Sequence, residues 1–442
     1  MSRGTFNMTS TILKPTPALS RRTLLRGISS ASVLATCAAF PGGAFAQGTG
    51  PEVKGTKLGY IALTDSAPLI IAKEKGYFTK HGLPDMEILK QASWGAIRDN
   101  IALGVASNGI DGGHILRPKA HLYTTGAVIQ NNQPLPIYTL LNLNEDSQGI
   151  SVSNEYKDLN IQQNSAPLKE AFARKKAAGK DLTAAMTFPG GTHDLWLRYW
   201  LAAGGIDPDT DIKVITVPPP QMVANMKVGN MDCFCVGEPW NEQLVNQNIG
   251  YTAITTSELW ARHPEKILGI RADFVDKNPK ATQAIIMAVM EAQMWCESVG
   301  NKQEMAEILS RRQWFNVPVA DIIGRLKGEV NYGNGRKVND AKLAMKFWGQ
   351  NGESSYPWKS LDTWFITENI RWGKFPPTLD IRALVDKTNR SDLWSEASRQ
   401  LGIANAPTGD SRGIETFFDG VVFDPKDPMG YLKSQKIKRV AV

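Results

Sequence analysis

Short apolar runs alternate with helix-period patterns along most of this chain, and the alternation runs through twice; no other feature restricts the available folds so strongly. Residues 57–63 predict a strand, 67–75 a helix, 86–90 a strand and 96–103 a helix, with strands continuing at 109–115, 137–143 and 150–153. The series restarts with strands over 184–188, 212–217 and 231–236 and helices over 194–203, 222–227 and 241–247. This order predicts an α/β fold in two successive halves. The segment between them, 154–181, is polar and Lys-rich, with one helical pattern at 168–178, as a crossover would be. After residue 268 the pattern turns helical, starting from an apolar helix over 281–296. Trp314, Trp348, Trp358, Trp364, Trp372 and Trp394 are spread through this part and read as packing residues.

The N-terminus distorts any argument from charge. Arg21 and Arg22 form a twin-arginine pattern, followed by a weakly apolar run over 28–40 and a small-residue site, Ala44-Phe45-Ala46. Residues 1–46 therefore read as an export signal, with periplasmic delivery expected. Leu34-Ala35-Thr36-Cys37 approximates a lipoprotein box, so Cys37 is a candidate membrane anchor. The signal holds Arg3, Lys14, Arg21, Arg22 and Arg26 and no acidic residue. Its removal takes Lys+Arg from 50 to 45 against 43 Asp+Glu, and the formal charge falls from +7 to +2. A nucleic-acid footprint disappears with it. Later stretches lack the roughly twenty consecutive apolar residues that span a bilayer.

About 396 residues remain, enough for more than one core. Cys233, Cys235 and Cys296 have no zinc-ligand spacing; Cys233 and Cys235 alternate onto one strand face and read as buried small hydrophobes. No cofactor is expected. The histidines, at 81, 114, 121, 193 and 263, form no evident catalytic or metal constellation, and His114 and His121 around Arg117 are spaced like a helix surface or cleft rim.

Two words carry the functional expectation. Ser93-Trp94-Gly95 and Gly190-Gly191-Thr192-His193 each take a strand into a helix through glycine and a hydroxyl residue. Helix N-termini at the carboxyl ends of strands present unpaired N–H groups to anions. Singly, each word also has a plain reading: Ser93 and Thr192 as N-caps, the glycines as tight turns, Trp94 as core and His193 as a satisfied structural histidine.

LGYIALTDSAPLIIAKEKGYF, QASWGAIRDN, GIDGGH, FPGGTHDLWLRYWLAAGGIDP, VGEPWN and HPEKILG, in this order, resemble the nitrate and bicarbonate substrate-binding proteins of cyanobacterial-type ABC transporters. The resemblance runs from about residue 57 to beyond 278. It implies a two-lobed periplasmic-binding-protein fold of type II character with a helical, Trp-rich C-terminal part, no enzymatic activity, and delivery of ligand to a membrane permease and its ATPase. Lobe 1 is expected over 55–153 plus 269–442 and lobe 2 over 154–268, with hinges near Ser153 and 268–273 and the protein monomeric. The ligand contacts implied are Trp94, Gly95, Gln148, His193 and Lys266, with Thr192 weaker. Glu238 and Trp240 are placed near the cleft, Glu238 more as a cap or ion pair than as a contact. Bicarbonate-type relatives resemble this sequence with Glu, assisted by a cation, where Lys266 stands.

Nitrate offers acceptors and no donor, so its pocket is expected to present only N–H groups and one positive charge. The reading is a nitrate receptor, accepting nitrite also. The alternatives are a bicarbonate- or cyanate-binding homologue and a nitrate-sensing regulator of the same fold, which would lack the export signal. An enzyme of the related thiamine-pyrimidine type would need a catalytic set that the sequence does not display.

Overall fold

Two five-stranded sheets of matching topology carry the fold. The first contains β1 (Lys57–Tyr60), β2 (Glu87–Lys90), β3 (Gly112–Leu116), β4 (Ile137–Asn142) and β10 (Lys266–Arg271), in the order β2-β1-β3-β10-β4. The second contains β5 (Gln148–Ser153), β6 (Thr183–Met186), β7 (Lys213–Thr216), β8 (Cys233–Gly237) and β9 (Gly250–Thr255), in the order β7-β6-β8-β5-β9. The structure, a computed structural model, describes Met1 and residues 50–441, so the rest of the expected export signal, Cys37 included, lies outside the described residues. Among the described residues no helix is long and apolar enough to cross a membrane.

In each sheet one antiparallel strand is threaded between parallel neighbours. β10 runs antiparallel to both β3 and β4, and β5 antiparallel to both β8 and β9. The polypeptide therefore crosses between sheets at 143–147 and again at 256–265. This displaces the boundaries and hinges drawn from the sequence: residues 148–153 belong to the second sheet and 266–268 to the first. The reason is local. A charged start, Glu265-Lys266, hides β10 from an apolar pattern, and the strand is fixed by its two neighbours instead. The glycines of GIDGGH serve this packing, because a Cβ on Gly113 (φ +142) would run into the carbonyl of Gly59 on β1.

The helices that matter for the site are α1 (Ala67–Glu74), α2 (Trp94–Leu103), α3 (Lys119–Thr124), α4 (Thr192–Ala203), α5 (Trp240–Asn246), α6 (Pro279–Glu297) and α7 (Lys359–Arg371). Pro279 opens α6 at its first turn, where a missing N–H costs nothing, and its apolar face packs against α1. Gln293, buried on α6, gives its amide N–H groups to the carbonyls of Asn142 (2.7 Å) and Leu143 (2.9 Å), anchoring the chain as it leaves β4.

The C-terminal part is not an appendage of lobe 1 alone. On α7, Asp362 accepts from Arg117 Nε at 2.7 Å on the first lobe. Two residues on, Trp364 stacks on Trp196 of α4, with centroids 4.8 Å apart, in the second. Asn369 then donates to the Gly190 carbonyl at 3.1 Å. One helix thus ties both sheets' layers. The tryptophans expected to pack do so: Trp364 and Trp394 are buried completely, Trp314, Trp348 and Trp372 nearly so. Cys233, Cys235 and Cys296 are buried free thiols. His114 lies on β3 and His121 on α3, and both are buried, so neither sits on a helix surface or rim. The burial of His114 follows from the closeness of β3 to its neighbours, and that of His121 from the helix Ile381–Thr388, which packs on α3.

Arg117 and Asp362 are both inaccessible to solvent. Arg117→Ala leaves a buried carboxylate unpaired, which costs roughly 3–5 kcal/mol of folding free energy. Urea unfolding of the variant is expected to show that loss as a lowered midpoint with an unchanged slope; a loss below about 1 kcal/mol would mean that the pair behaves like a surface one.

Candidate functional site

The antiparallel strands explain how distant residues meet. In a parallel sheet, ligands settle at the carboxyl ends of strands. An antiparallel strand contributes its first residue to that same edge: Lys266 opens β10 opposite Leu116, the last residue of β3, and Gln148 opens β5 opposite Gly237, the last of β8. The loops after β2 and β6 then add the first turns of α2 and α4.

Those two turns are built alike. Ser93 caps α2 by accepting from the Ala96 amide at 3.1 Å, which leaves Trp94 and Gly95 at the first two helical positions with amides that have no helical acceptor. In α4 the cap is Gly191, and Thr192 and His193 take the equivalent positions. Thr192 is therefore not the N-cap that its residue type suggested; Gly191 already has the extended cap backbone, and the Thr192 hydroxyl is released for other use.

Around this edge buried polar atoms stand without partners. Trp94 Nε1, both amide atoms of Gln148, Thr192 Oγ1 and His193 Nε2 have no hydrogen-bond partner among the described residues. Native proteins satisfy nearly all such groups, so several together mark a place where something else completes them. All four residues come from the sequence-derived set, and an ionic cluster centred on Lys266 lies close to Trp94 and His193. Trp94 packs its ring on His114 at 5.3 Å between centroids, and His114 contacts Asp65 at 2.6 Å. Asp65 in turn holds the Lys266 ammonium at 2.8 Å.

Lys266 is the point where the sequence reading needs correction. Its ammonium lies completely buried between Asp65 (2.8 Å) and Glu265 (3.3 Å), so the site is not furnished with donors and one free positive charge. An ammonium without counter-charge would face the full cost of desolvation, and the chain supplies two carboxylates to offset it. Burial works against the charge of Lys266, but Asp65 and Glu265 outweigh it and hold the group above its ordinary pKa. Burial also opposes ionisation of Asp65 and Glu265, yet Lys266 with His114 and His263 keeps both below the usual carboxylate range.

The flanking histidines are fixed in opposite tautomers. The Trp196 indole N–H donates to His263 Nε2, so the His263 proton sits on Nδ1 and is given to Glu265 Oε1 at 3.0 Å. The Ile61 amide donates to His114 Nδ1 at 3.4 Å, so His114 carries its proton on Nε2, facing Asp65. Burial, the largest influence on each, pushes both imidazoles below their ordinary pKa and keeps them neutral. Ser147 Oγ donates to Asp65 at 2.7 Å and Thr256 Oγ1 to Glu265 at 2.9 Å, completing the carboxylates.

Glu238 forms the ion pair expected of it, and Trp240 is engaged by the backbone. Glu238 pairs with Arg325 at 3.4 Å and accepts from the Glu242 amide at 3.2 Å, while burial pushes its carboxyl up to about 7. Trp240 gives its indole N–H to the Ala62 carbonyl at 3.1 Å. Both stitch the seam between the halves, as does the Thr64 amide donating to the Glu238 carbonyl at 2.7 Å. The sequence reading also missed Lys119. Its buried ammonium bonds the Trp94 carbonyl at 2.8 Å and lies 3.8 Å from the Phe188 ring centroid, bridging the halves beside both helix turns. Asp65 and Glu265 were legible only as members of the longer words LGYIALTDSAPLIIAKEKGYF and HPEKILG; nothing in their spacing announces that they meet.

The neutral histidines make one contribution to the acid behaviour. Below about 6.5, the ordinary histidine value, the unfolded chain takes up protons that folded His114 and His263 refuse, so their stabilisation is complete above that pH and is lost as the pH falls. Asp65 and Glu265 extend the loss below about 4. Buried carboxyls such as Glu238, pushed up to about 7, act in the opposite sense over the same range, so the test is a difference: His263→Gln is expected to lose less melting temperature than the parent as the pH falls from 7 to 5, and an equal or greater loss would contradict this.

Residues 49–310 match the model of the NMT1-like family. The chain is 58% identical over 393 residues to the nitrate/nitrite binding protein NrtA of Synechocystis sp., covering 88% of this chain and 86% of that relative. It is 47% identical over 397 residues to the bicarbonate-binding protein CmpA of Synechococcus elongatus, covering 88% of each. The crystal structure of the periplasmic nitrate-binding protein NrtA from Synechocystis matches with a TM-score of 0.85 at 57% identity, over 88% of this chain and 100% of that one. With two sheets of matching topology and these relatives, the chain belongs to the NMT1-like family, in its group of nitrate- and bicarbonate-binding proteins of ABC transporters.

Proposed function

We propose that this protein is the nitrate receptor of an ABC importer, exported by its twin-arginine segment to the periplasm, where it binds nitrate or nitrite between its lobes and delivers it to a membrane permease. It acts without catalysis. The observation that carries this reading is the group of buried, unpartnered atoms on Trp94, Gln148, Thr192 and His193, together with the buried ammonium of Lys266. Nitrate has acceptor oxygens and no proton, so each unpartnered N–H or O–H gains a bond without creating a new unsatisfied donor.

The ammonium of Lys266 contributes within its limits. It has three N–H bonds, and Asp65 and Glu265 engage two, which leaves one for the anion. Selection then rests on the pattern of donors more than on net charge. Gly95 fits the same reading: a Cβ there would meet only Ser93 Oγ, at 3.6 Å, so internal packing does not demand glycine, whereas close approach of a ligand to the first-turn amides does. One observation favours bicarbonate as a second reading. Gln148 Oε1 is an acceptor without a donor, and a ligand hydroxyl would satisfy it. We favour nitrate because a lysine, not the glutamate of the bicarbonate type, occupies position 266, and because greater identity is shared with the nitrate/nitrite binding relative than with the bicarbonate-binding one.

Isothermal titration with nitrate, nitrite, bicarbonate and cyanate tests the assignment. Heat with nitrate and nitrite and none with bicarbonate is expected; the reverse order would overturn it. Trp94→Phe keeps the ring and removes the indole N–H, and is expected to weaken nitrate about fivefold to tenfold, the worth of one hydrogen bond of roughly 1 kcal/mol. Unchanged affinity would remove Trp94 from the contact set.

A further inference from the structure

Three buried histidines stand at or beside the ionic cluster, and two have no freedom over where their proton sits. His114 Nδ1 faces a backbone amide and His263 Nε2 faces an indole N–H, both obligatory donors. His193 differs. Its Nδ1 contacts the hydroxyl of Thr187, which can give or take a hydrogen bond, while its Nε2 is one of the buried unpartnered atoms. Thr187 is itself buried, just beyond the end of β6 and six residues before the histidine it touches.

Two arrangements follow. If Thr187 donates to Nδ1, the neutral ring carries its proton on Nε2 and presents a donor to the site. If Nδ1–H donates to Thr187 Oγ1, Nε2 presents a lone pair. An anion made only of acceptors is compatible with the first and repelled by the second. Burial, with the Lys266 charge beside it, disfavours a protonated ring that would donate from both nitrogens. The choice of tautomer therefore decides whether His193 helps or hinders the anion.

We infer that Thr187 is a positioning residue for anion recognition: its hydroxyl donates to His193 Nδ1 and so holds the Nε2 proton towards a ligand that has none of its own. The inference rests on the reading of this cleft as a nitrate site. Because the hydroxyl can rotate, the same pair can reverse and let Nε2 accept from an anion that carries a hydroxyl, which neither His114 nor His263 can do. Thr187 thereby takes part in setting which protonation class of anion the site accepts.

The test is the 15N spectrum of histidine-labelled protein saturated with nitrate, with the His193 signals assigned by loss in His193→Asn. The expected result is an Nε2–H tautomer, with Nδ1 shifted as an acceptor of a hydrogen bond. Thr187→Ser is expected to keep both that signature and the nitrate affinity within about twofold. Thr187→Val is expected to move the Nδ1 signal and weaken nitrate about fivefold or more. An Nδ1–H tautomer in the nitrate complex would overturn the inference while leaving the nitrate reading intact, as would a Thr187→Val protein with the same signals and affinity as the parent. Failure of the parent protein to bind nitrate by titration would remove the underlying reading and the inference with it.

Discussion

The buried ammonium of Lys266, held between Asp65 and Glu265, is the constraint that the rest of the site answers to. Three formal charges without solvent contact are costly, and removing any one strands the others. The chain meets that cost with neutral partners: His114 and His263 in opposite tautomers, and the hydroxyls of Ser147 and Thr256. These groups come from the loop after β1, from β3, from both crossings and from β10. The cluster needs β10 to lie antiparallel against β3, which sets Lys266 level with Leu116, so it records that part of the topology in its chemistry.

An anion site built beside two carboxylates cannot select by positive potential alone. What it offers is a directed set of donors in surroundings that exclude water, where each hydrogen bond is stronger and each unmade one more expensive. In the proposed site, Lys266 would serve chiefly to offset the charges of Asp65 and Glu265. Lys119 adds a second buried cation beside Trp94, surrounded by the rings of Trp94, Tyr123 and Phe188 in place of a counter-carboxylate. Burial lowers its pKa strongly, and an anion nearby would favour its charged form.

Much of the fold was legible because its signals are local. The apolar periods located β1 to β8 within a few residues, and the paired strand-to-helix words at Ser93 and Gly191 marked the two turns that hold Trp94 and His193. What was not legible depends on partners far away in sequence. β9 and β10 carry no clear pattern of their own, so the boundaries were drawn several residues off at both crossings. The role of α7 in joining the lobes comes from Asp362 and Trp364 finding Arg117 and Trp196, pairings that no spacing encodes. Lys266 was found through its resemblance to a family word. Its counter-ions were not: Glu265 adjoins it but shows no sign of folding back on its ammonium, and Asp65 lies about two hundred residues away in a turn that looks ordinary.

The central claim is that Trp94, Gln148, Thr192 and His193 converge on one planar oxyanion beside a lysine that is already paired. A crystal structure of the protein grown with nitrate tests it most directly. The account predicts planar density within hydrogen-bonding distance of Trp94 Nε1, the Gln148 amide and His193 Nε2, with the Lys266 ammonium still touching Asp65. Nitrate bound elsewhere, or Lys266 swung free of Asp65 to meet it, would contradict the account.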